Sequence, residues 1–379
     1  MTDTDVLIVG AGPTGLTLAG ALALRGVSTT VVDALPAGRN TSRAAAVNAH
    51  TLEVLEELDV SRRLVKEGLA APRFGMRDRR RVLIPIDFSG LPTAYPYTLM
   101  LSQATTERLL VERLEELGGE VQRPLLLTGV AQDGAGVTAT FDDGRTLRAR
   151  YVVGADGIHS TVRQQAGIGF AGGEYAESFL LADVHLQGEA PVDEVILFYA
   201  RKGLTVVAPL PHGIHRVVAP LDNAPELPSA NFVQELLDTR GYGPARSRVT
   251  DVVWGSRFRI HHRVADTYHA GRLVLAGDAA HVHSPAGGQG MNLGIQDAVA
   301  LAAALTEVLD GGSQSALDAY SNQRRPIAEQ VLRLTGRLTR LATCPAPVRP
   351  LRNTAMRAAA ALPAVRDDLA WRLSGLVYR

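Results

Sequence analysis

Near its N-terminus the chain reads VLIVGAGPTGLTLAGALALRGVSTTVVDA, an order of residues that few folds accept. A four-residue apolar strand, Val6–Val9, runs into Gly10-x-Gly12-x-x-Gly15. A helix-period stretch follows, then a second strand, Ser28–Val32, which ends at Asp33. Each part has a mechanical reason. Gly10 permits the tight turn, Gly12 lets a pyrophosphate approach the backbone, and Gly15 lets helix and strand pack closely. The helix N-terminus offers unpaired N–H groups and a positive dipole end to phosphates. An acid some twenty residues on accepts both hydroxyls of an adenosine ribose. The pattern predicts one Rossmann-type unit and does not distinguish FAD from NAD. Gly241-Tyr-Gly243 and Gly288-Gln-Gly290 lack the third glycine, so no second unit is expected.

At 379 residues the chain exceeds what one hydrophobic core holds, and two or three domains are expected. Its formal net charge of zero gives no global field for nucleic acid or an anionic membrane. A single cysteine, Cys344, excludes an intramolecular disulfide framework and suits a reducing cytoplasm. The uncharged run Val6 to Leu24 follows the acidic MTDTD, whereas a signal peptide starts with basic residues. Nothing else in the sequence reads as long and apolar enough to cross a membrane.

Farther along, AHTLEVLEELDVSRRLVKEG has the apolar spacing of one helix. SQATTERLLVERLEELGG is a second helix, with serine and threonine at its start and glycines at its end. VTATFDDGRTLRARYVVGADG reads as a hairpin turning at Asp143-Gly144, followed by a buried strand. EVILFYARKGLTVVAPLPHGIHRVVAPL reads as a three-stranded antiparallel meander. RLVLAGDAA returns to a buried parallel-type strand, and the remainder is mainly helical. The expected architecture is α/β. A Rossmann-type domain over 1–72, 102–174 and 271–317 is interrupted by an antiparallel β-sheet substrate domain over 73–101 and 175–270. A helical segment over 318–379 follows.

Two further stretches repeat the logic of a loop at the carboxyl end of a strand, where open α/β sheets bind ligands. YVVGADGIHSTVR ends a strand at Asp156-Gly157 and carries Ser160 and Arg163 on the next turn, against a plainer reading as an N-capped strand-to-helix turn. RLVLAGDAAHVHSPAGGQGMNLGIQDA places Gly277-Asp278, a glycine-rich loop and a helix in succession. Asp278 can accept hydrogen bonds from ribityl or ribose hydroxyls. The glycines after Pro285 leave a surface without side chains, suited to a flat ring. The helix beginning near Met291 aims its positive end there, which would steady the negative charge of a reduced flavin.

The histidines need separate treatment. His281-x-His283 has a ligand-like spacing, but no Cys, Asp or Glu joins it, so loop packing is expected and no metal. His261 and His262 point to opposite faces of a strand. Tyr199, Arg201, Arg216 and His261 are pocket candidates by position, against a plainer reading of solvated sheet positions. Trp254 is expected in the core.

With these motifs in order, the chain resembles the class A, single-component FAD-dependent monooxygenases of the para-hydroxybenzoate hydroxylase type. TSRAAAVNAHTLEVLEELDV, SQATTERLL and the terminal RLSGL are similar to the aromatic polyketide hydroxylase branch, although the thioredoxin-like C-terminal domain of many members is not expected from these residues. The resemblance implies FAD as cofactor and NAD(P)H as transient reductant. It implies FAD contacts from Gly10, Gly12, Pro13, Gly15, Asp33, Arg43, Gln103 and Asp278, with Asp156 and Gly157 serving both FAD and NAD(P)H. Asp33 stands where glutamate is more usual. Gly277 would join Asp278 at the FAD sugar and chain, Pro285, Gly287 and Gly288 would lie beside the isoalloxazine ring, and Gly290, Met291 and Asn292 would be further cofactor contacts. The implied reaction hydroxylates an electron-rich aromatic or polyketide-type small molecule with molecular oxygen, through a flavin C4a-hydroperoxide. It requires no protein nucleophile and no metal. The implied protein is a cytoplasmic monomer or homodimer with no nucleic-acid or membrane partner. A dehydrogenase or reductase, or a cyclase with structural FAD, shares all three motifs and stays open. A flavin halogenase is disfavoured because W-x-W-x-I-P is absent, and a two-Rossmann Baeyer–Villiger enzyme because the second glycine motif is absent.

Overall fold

The strands Thr4–Val9 and Thr146–Gly154 end in buried apolar runs, Val6–Val9 and Tyr151–Val153, as expected where helices cover both faces of a parallel sheet. A computed structural model, describing residues 2–38 and 44–379 (without the side chains of 175–177 and 260), pairs them in parallel, Val6 against Tyr151 and Val9 against Gly154. Thr29–Val32 flanks the first strand and Leu273–Leu275 flanks the second, both in parallel. Three distant stretches of chain therefore end side by side. Their loops are stitched together at once: the N–H of Gly10 donates to the Val32 carbonyl, that of Ala155 to Val9, and that of Ala276 to Gly154. The hairpin at Asp143-Gly144 forms as expected, and Leu127–Gln132 adds a strand that sequence reading did not resolve.

The Pro13–Leu24 helix is buried on nearly all sides, between this sheet and the Gly290–Leu309 helix. That second helix is long and apolar enough to cross a membrane, contrary to the expectation from sequence. Most of its length is buried inside the fold, between Pro13–Leu24 and Ser315–Thr343. The stretch expected as one helix after Asn48 divides into Ala49–Val54 and Ser61–Glu67. Leu55, Leu58 and Val60, at 0 to 1% exposure, insert into the core at the break, and Asp59 takes a left-handed φ of 57°. Burial of the intervening turn keeps the apolar spacing of a helix while interrupting its backbone.

A second sheet, of eight strands among the described residues, is built on the long antiparallel pair Phe170–Gly188 and Ser247–Ala265. The meander Glu194–Ala200, Gly203–Pro209 and Ile214–Leu221 extends it. The sheet is mixed rather than wholly antiparallel, because Glu194–Ala200 runs parallel to Arg73–Asp78, a strand supplied by the earlier crossing of the chain. The expected limits of the two regions also shift. Phe170–Gly188 starts before residue 175, and Thr98–Met100 pairs with Ala46–Val47 and Leu69–Ala71 in a separate small sheet. His281–Val282 lies on the edge of the Ser247–Ala265 strand, so the glycine-rich loop leaves directly from the second sheet. The helices Ser315–Thr343, Arg349–Ala360 and Pro363–Leu373 complete the fold, the last two against Arg81–Asp87.

Candidate active site

Each glycine of the first motif has a separate steric reason. Gly10 has φ of +107°, and a Cβ there would lie 2.3 Å from the Ala155 carbonyl oxygen. A Cβ on Gly15 would lie 1.9 Å from the Gly10 carbonyl oxygen, which makes this glycine a packing residue beneath the site. Gly12 is different: a Cβ would meet nothing within 4 Å, so the backbone there is bare toward open space. Asp33 is oriented by the N–H groups of Ala11 and Leu35, which donate to its two carboxylate oxygens at 2.7 and 2.8 Å. Each oxygen keeps a further lone pair for a sugar hydroxyl. Gln103 opens the Gln103–Glu116 helix, capped by Ser102, and its Oε1 accepts from the Ala44 N–H at 3.2 Å. Arg43 lies outside the described residues.

At the next strand end, Asp156 accepts from the N–H groups of Thr161 and Val162 at 2.8 and 3.3 Å. Burial raises its pKa, opposed by those hydrogen bonds. Arg163 is not offered to a ligand. It is 5% exposed, donates to the carbonyls of Ala279 and Ile158, and stacks on Phe170 at 3.9 Å. It ties the second loop to the third.

The third loop begins with Gly277, at φ of +60° and packed on Thr14, so that Asp278 reaches the cavity while Gly277 supports it from behind. Gly287 and Gly288 both have positive φ, and the loop they form presents backbone rather than side chains. Asn292 does not line the cavity. Its Oδ1 accepts from the Asn48 N–H, and its Nδ2 donates to the carbonyls of Ala46 and Gly288, which pins this floor to the small sheet. The three loops surround one cavity of about 1110 Å3. Gly10, Gly12, Pro13, Asp33, Gln103, Asp156 and Gly157 border it on one side; Asp278, Pro285, Gly287, Gly288, Gly290 and Met291 border it on the other. The N-termini of two helices, Pro13–Leu24 and Gly290–Leu309, both open onto it.

Beyond the glycine floor one stretch of the cavity wall is apolar, with Phe74, Met100, Leu197, Tyr199, Val206 and Leu338 on it, while Arg216, Arg257, Arg259 and His261 also border the cavity. Of the four pocket candidates, Tyr199, Arg216 and His261 border the cavity. Tyr199 is fully buried rather than solvated, and burial pushes its hydroxyl up to about 12. Arg216, 3% exposed, forms a two-point ion pair with Asp183 at 2.8 Å and donates to the Ala44 carbonyl. Arg201 is a miss: it sits on the exposed turn between two strands, where the face shared with Tyr199 ends. Trp254 is half-buried rather than core. Leu338, Thr339, Ala342 and Leu373, from the C-terminal helices, also border the cavity, and nothing in their local sequence marks them.

The two loop histidines have separate roles. His281 Nε2 lies 2.5 Å from Asp297 Oδ2, and Arg324 Nε donates to Asp297 Oδ1 at 2.6 Å, all three side chains being at most 5% exposed. Among the described residues no three metal-ligating side chains cluster. His283 donates Nδ1–H to the Ser284 carbonyl at 2.9 Å, and burial lowers its pKa to about 4. The folded ring is therefore neutral where the unfolded ring, near 6.5, takes a proton. The associated stability is complete above pH 6.5 and is lost as pH falls from there toward 4, by on the order of 3 kcal/mol. Urea midpoints measured from pH 7 to 4.5 should show a flatter acid limb in His283→Gln than in the wild type. An unchanged limb rules this account out.

Residues 3–335 match the family model described as FAD binding domain. The chain is 38% identical over 351 residues to the uncharacterized aromatic compound monooxygenase YhjG of Bacillus subtilis, covering 90% of this chain and 69% of that protein. It is 37% identical over 344 residues to the rifampicin monooxygenase of Streptomyces venezuelae, covering 86% and 69%. It thus spans about two thirds of the length of these relatives. Among solved structures, p-nitrophenol 4-monooxygenase from Pseudomonas putida superposes with a TM-score of 0.85 at 27% identity, over 99% of this chain and 98% of that one. The Diels-Alderase PyrE3 of pyrroindomycin biosynthesis superposes with a TM-score of 0.82 at 31% identity, over 98% and 80%.

Proposed function

The chain belongs to the FAD binding domain family, and from that premise we propose that it is an NAD(P)H- and oxygen-dependent flavin monooxygenase hydroxylating an electron-rich aromatic or polyketide-type molecule. The observation that carries this reading is the single cavity, in which a bare glycine floor at a helix N-terminus continues into an apolar wall. Those features fit FAD: open space over Gly12 for the pyrophosphate, a paired carboxylate at Asp33 for the ribose, and Gly287-Gly288 for a flat ring. Bound there and reduced by NAD(P)H, FAD supplies oxygen activation, one oxygen atom going to the substrate ring and the other to water.

The chain's own residues bind, orient and exclude water. Asp33 accepts the ribose hydroxyls, and Asp278 does the same for the ribityl chain. Gln103, Asp156 and Gly157 line the path between them, and the family resemblance alone implies an FAD contact from Arg43. The start of the Gly290–Leu309 helix stabilises negative charge over the glycine floor. The apolar wall keeps water from the reacting centre, where it would divert the oxygen chemistry. Arg216 is held by Asp183 and positions the Ala44 segment; Tyr199 and His261 are the polar side chains proposed to meet the substrate. A reducing cytoplasm suits the unpaired Cys344, and the working form is a monomer or homodimer.

Asp33→Ala should weaken FAD by roughly 10- to 100-fold, the value of one or two charge-assisted hydrogen bonds. Asp33→Glu should restore most of it, read by flavin fluorescence titration. Equal affinity in Asp33→Ala would remove Asp33 from the site.

One experiment tests the reaction. The flavin is reduced without oxygen, a phenolic or polycyclic candidate is added, and labelled oxygen is then admitted. Label in a hydroxylated product supports the proposal. Product formed before oxygen enters overturns it in favour of a reductase. The likeness to a Diels-Alderase favours one further reading, a cyclase, which turnover with oxidised FAD and no NAD(P)H consumed would establish.

A further inference from the structure

The C-terminal helices contribute one face to the cavity, from residues beyond the span of the family match at 335. Leu338 and Ala342 are four apart on the Ser315–Thr343 helix and so share a face. Both are buried, with Thr339 between them, and all three border the cavity. Leu373, the last residue of the Pro363–Leu373 helix, closes the same corner. Leu338, Ala342 and Leu373 belong to one apolar cluster with Leu197 and Tyr199 of the second sheet, so the corner is where ring floor and apolar wall meet.

Several bonds fix this face to the floor. The hydroxyls of Thr339 and Ser284 are 2.7 Å apart, next to Pro285. Gln289 Nε2 donates to the Leu373 carbonyl at 3.2 Å, and the His50 N–H donates to that of Ser374 at 3.1 Å. A Cβ on Gly287 would lie 3.1 Å from Leu373 Cδ2 and 3.8 Å from Leu338 Cδ1. The two leucines thus back the floor, whereas Ala342, on the same helix face as Leu338, borders the cavity with only a methyl group.

We propose that this C-terminal face, and Ala342 in particular, determines the size of aromatic ligand the cavity accepts: the shallow side chain makes room for a fused polycyclic phenol in preference to a single ring. The proposal rests on the aromatic-substrate reading above. Two properties follow. A bulkier residue at 342 subtracts volume from the substrate end without touching the dinucleotide loops. Its effect therefore falls on large ligands and spares both small ones and FAD.

The test is equilibrium binding to the FAD-loaded protein, followed by the perturbation of flavin absorbance. The probes are 4-nitrophenol, with one ring, and 1,8-dihydroxyanthraquinone, with three. Ala342→Phe should weaken the anthraquinone at least tenfold and change 4-nitrophenol by less than twofold, with FAD content unchanged. Leu351→Phe, at a position 71% exposed on the neighbouring helix, should change neither. Equal weakening of both probes, or of neither, overturns the proposal. If Ala342→Phe fails to fold, Ala342→Val is read in its place, with at least threefold selective weakening expected. If neither phenol binds the wild type, the substrate reading fails separately. The face is then judged with the apolar dye 1-anilinonaphthalene-8-sulfonate, whose bound fluorescence Ala342→Phe should reduce at least threefold and Leu351→Phe should not; equal signals overturn it.

Discussion

Gly10→Ala is expected to leave a protein that retains no FAD through gel filtration, an affinity loss of more than about 100-fold. The φ of +107° is strained for any residue with a Cβ, a cost of order 1–3 kcal/mol. The larger effect is steric: the methyl group would lie 2.3 Å from the Ala155 carbonyl oxygen, and a backbone atom cannot swing away. The two strand ends must then separate, and both carry loops that border the cavity. Gly12→Ala is the informative contrast. Its φ of −78° suits alanine and nothing lies within 4 Å of the new methyl group. The apo protein should melt as the wild type does while FAD affinity falls, because the methyl group occupies the path of the pyrophosphate. Wild-type FAD content in Gly10→Ala would overturn the role given to this turn. A melting temperature lowered equally in both variants would show that the contrast is about folding alone.

Asp297→Ala should lower the unfolding free energy by roughly 3–5 kcal/mol, measured by urea denaturation at pH 7. Burial opposes the ionisation of Asp297, but the charges of Arg324 and His281 hold its carboxyl below the usual range. Removing it leaves the Arg324 guanidinium, 4% exposed, without the carboxylate it donates to. Removing Asp297 and Arg324 together tests the account. Asp297→Leu combined with Arg324→Met should recover much of the loss, since neither member is then left as an uncompensated charge. A loss below about 1 kcal/mol in Asp297→Ala would mean that water or a shifted partner relieves Arg324. The consequence reaches the site, because Asp297 lies in the helix whose first turn faces the glycine floor, and His281 lies on the edge strand that launches the loop.

The dinucleotide end of the site was legible because its constraints are local. Gly10, Gly12 and Asp33 act within one strand-turn-helix-strand unit, and each is demanded by a backbone angle or a close approach that a few neighbouring residues set. The glycine floor at Gly287-Gly288 was legible for the same reason. Supporting residues were harder to assign to a layer, apart from Gly15, whose role in close helix–strand packing was legible. Gly15, Gly277 and Asn292 hold the loops from behind, and Arg163 binds two loops to each other, because whether a side chain faces a ligand or the next loop depends on what the fold brings opposite it. Arg201 failed through a smaller error. Alternation along a strand predicts a face only while the strand lasts, and the turn starts at that residue.

The second sheet shows the limit more sharply. Its strands were readable one by one, but the parallel pairing of Glu194–Ala200 with Arg73–Asp78 joins residues about 120 positions apart, and no periodicity reports a partner at that distance. The C-terminal face of the cavity is invisible for the same reason. Ala342 is an ordinary helical alanine until the fold sets it in one apolar cluster with Leu197, Tyr199 and Leu373 at the edge of the cavity.

The sequence by itself determined the chemistry that the chain can hold: three loops at strand ends, a glycine-rich turn into a helix, a carboxylate at the end of the second strand and a floor without side chains. These follow from glycine's missing Cβ, the unpaired N–H groups of a helix start and the alternation of buried strands, all properties of short segments. Only the tertiary structure decided that the three loops open onto one cavity, which arginines are committed to holding the fold, and which C-terminal residues border the apolar wall. Those depend on contacts between segments hundreds of residues apart, where the energy lies in packing and charge pairing that no single segment carries.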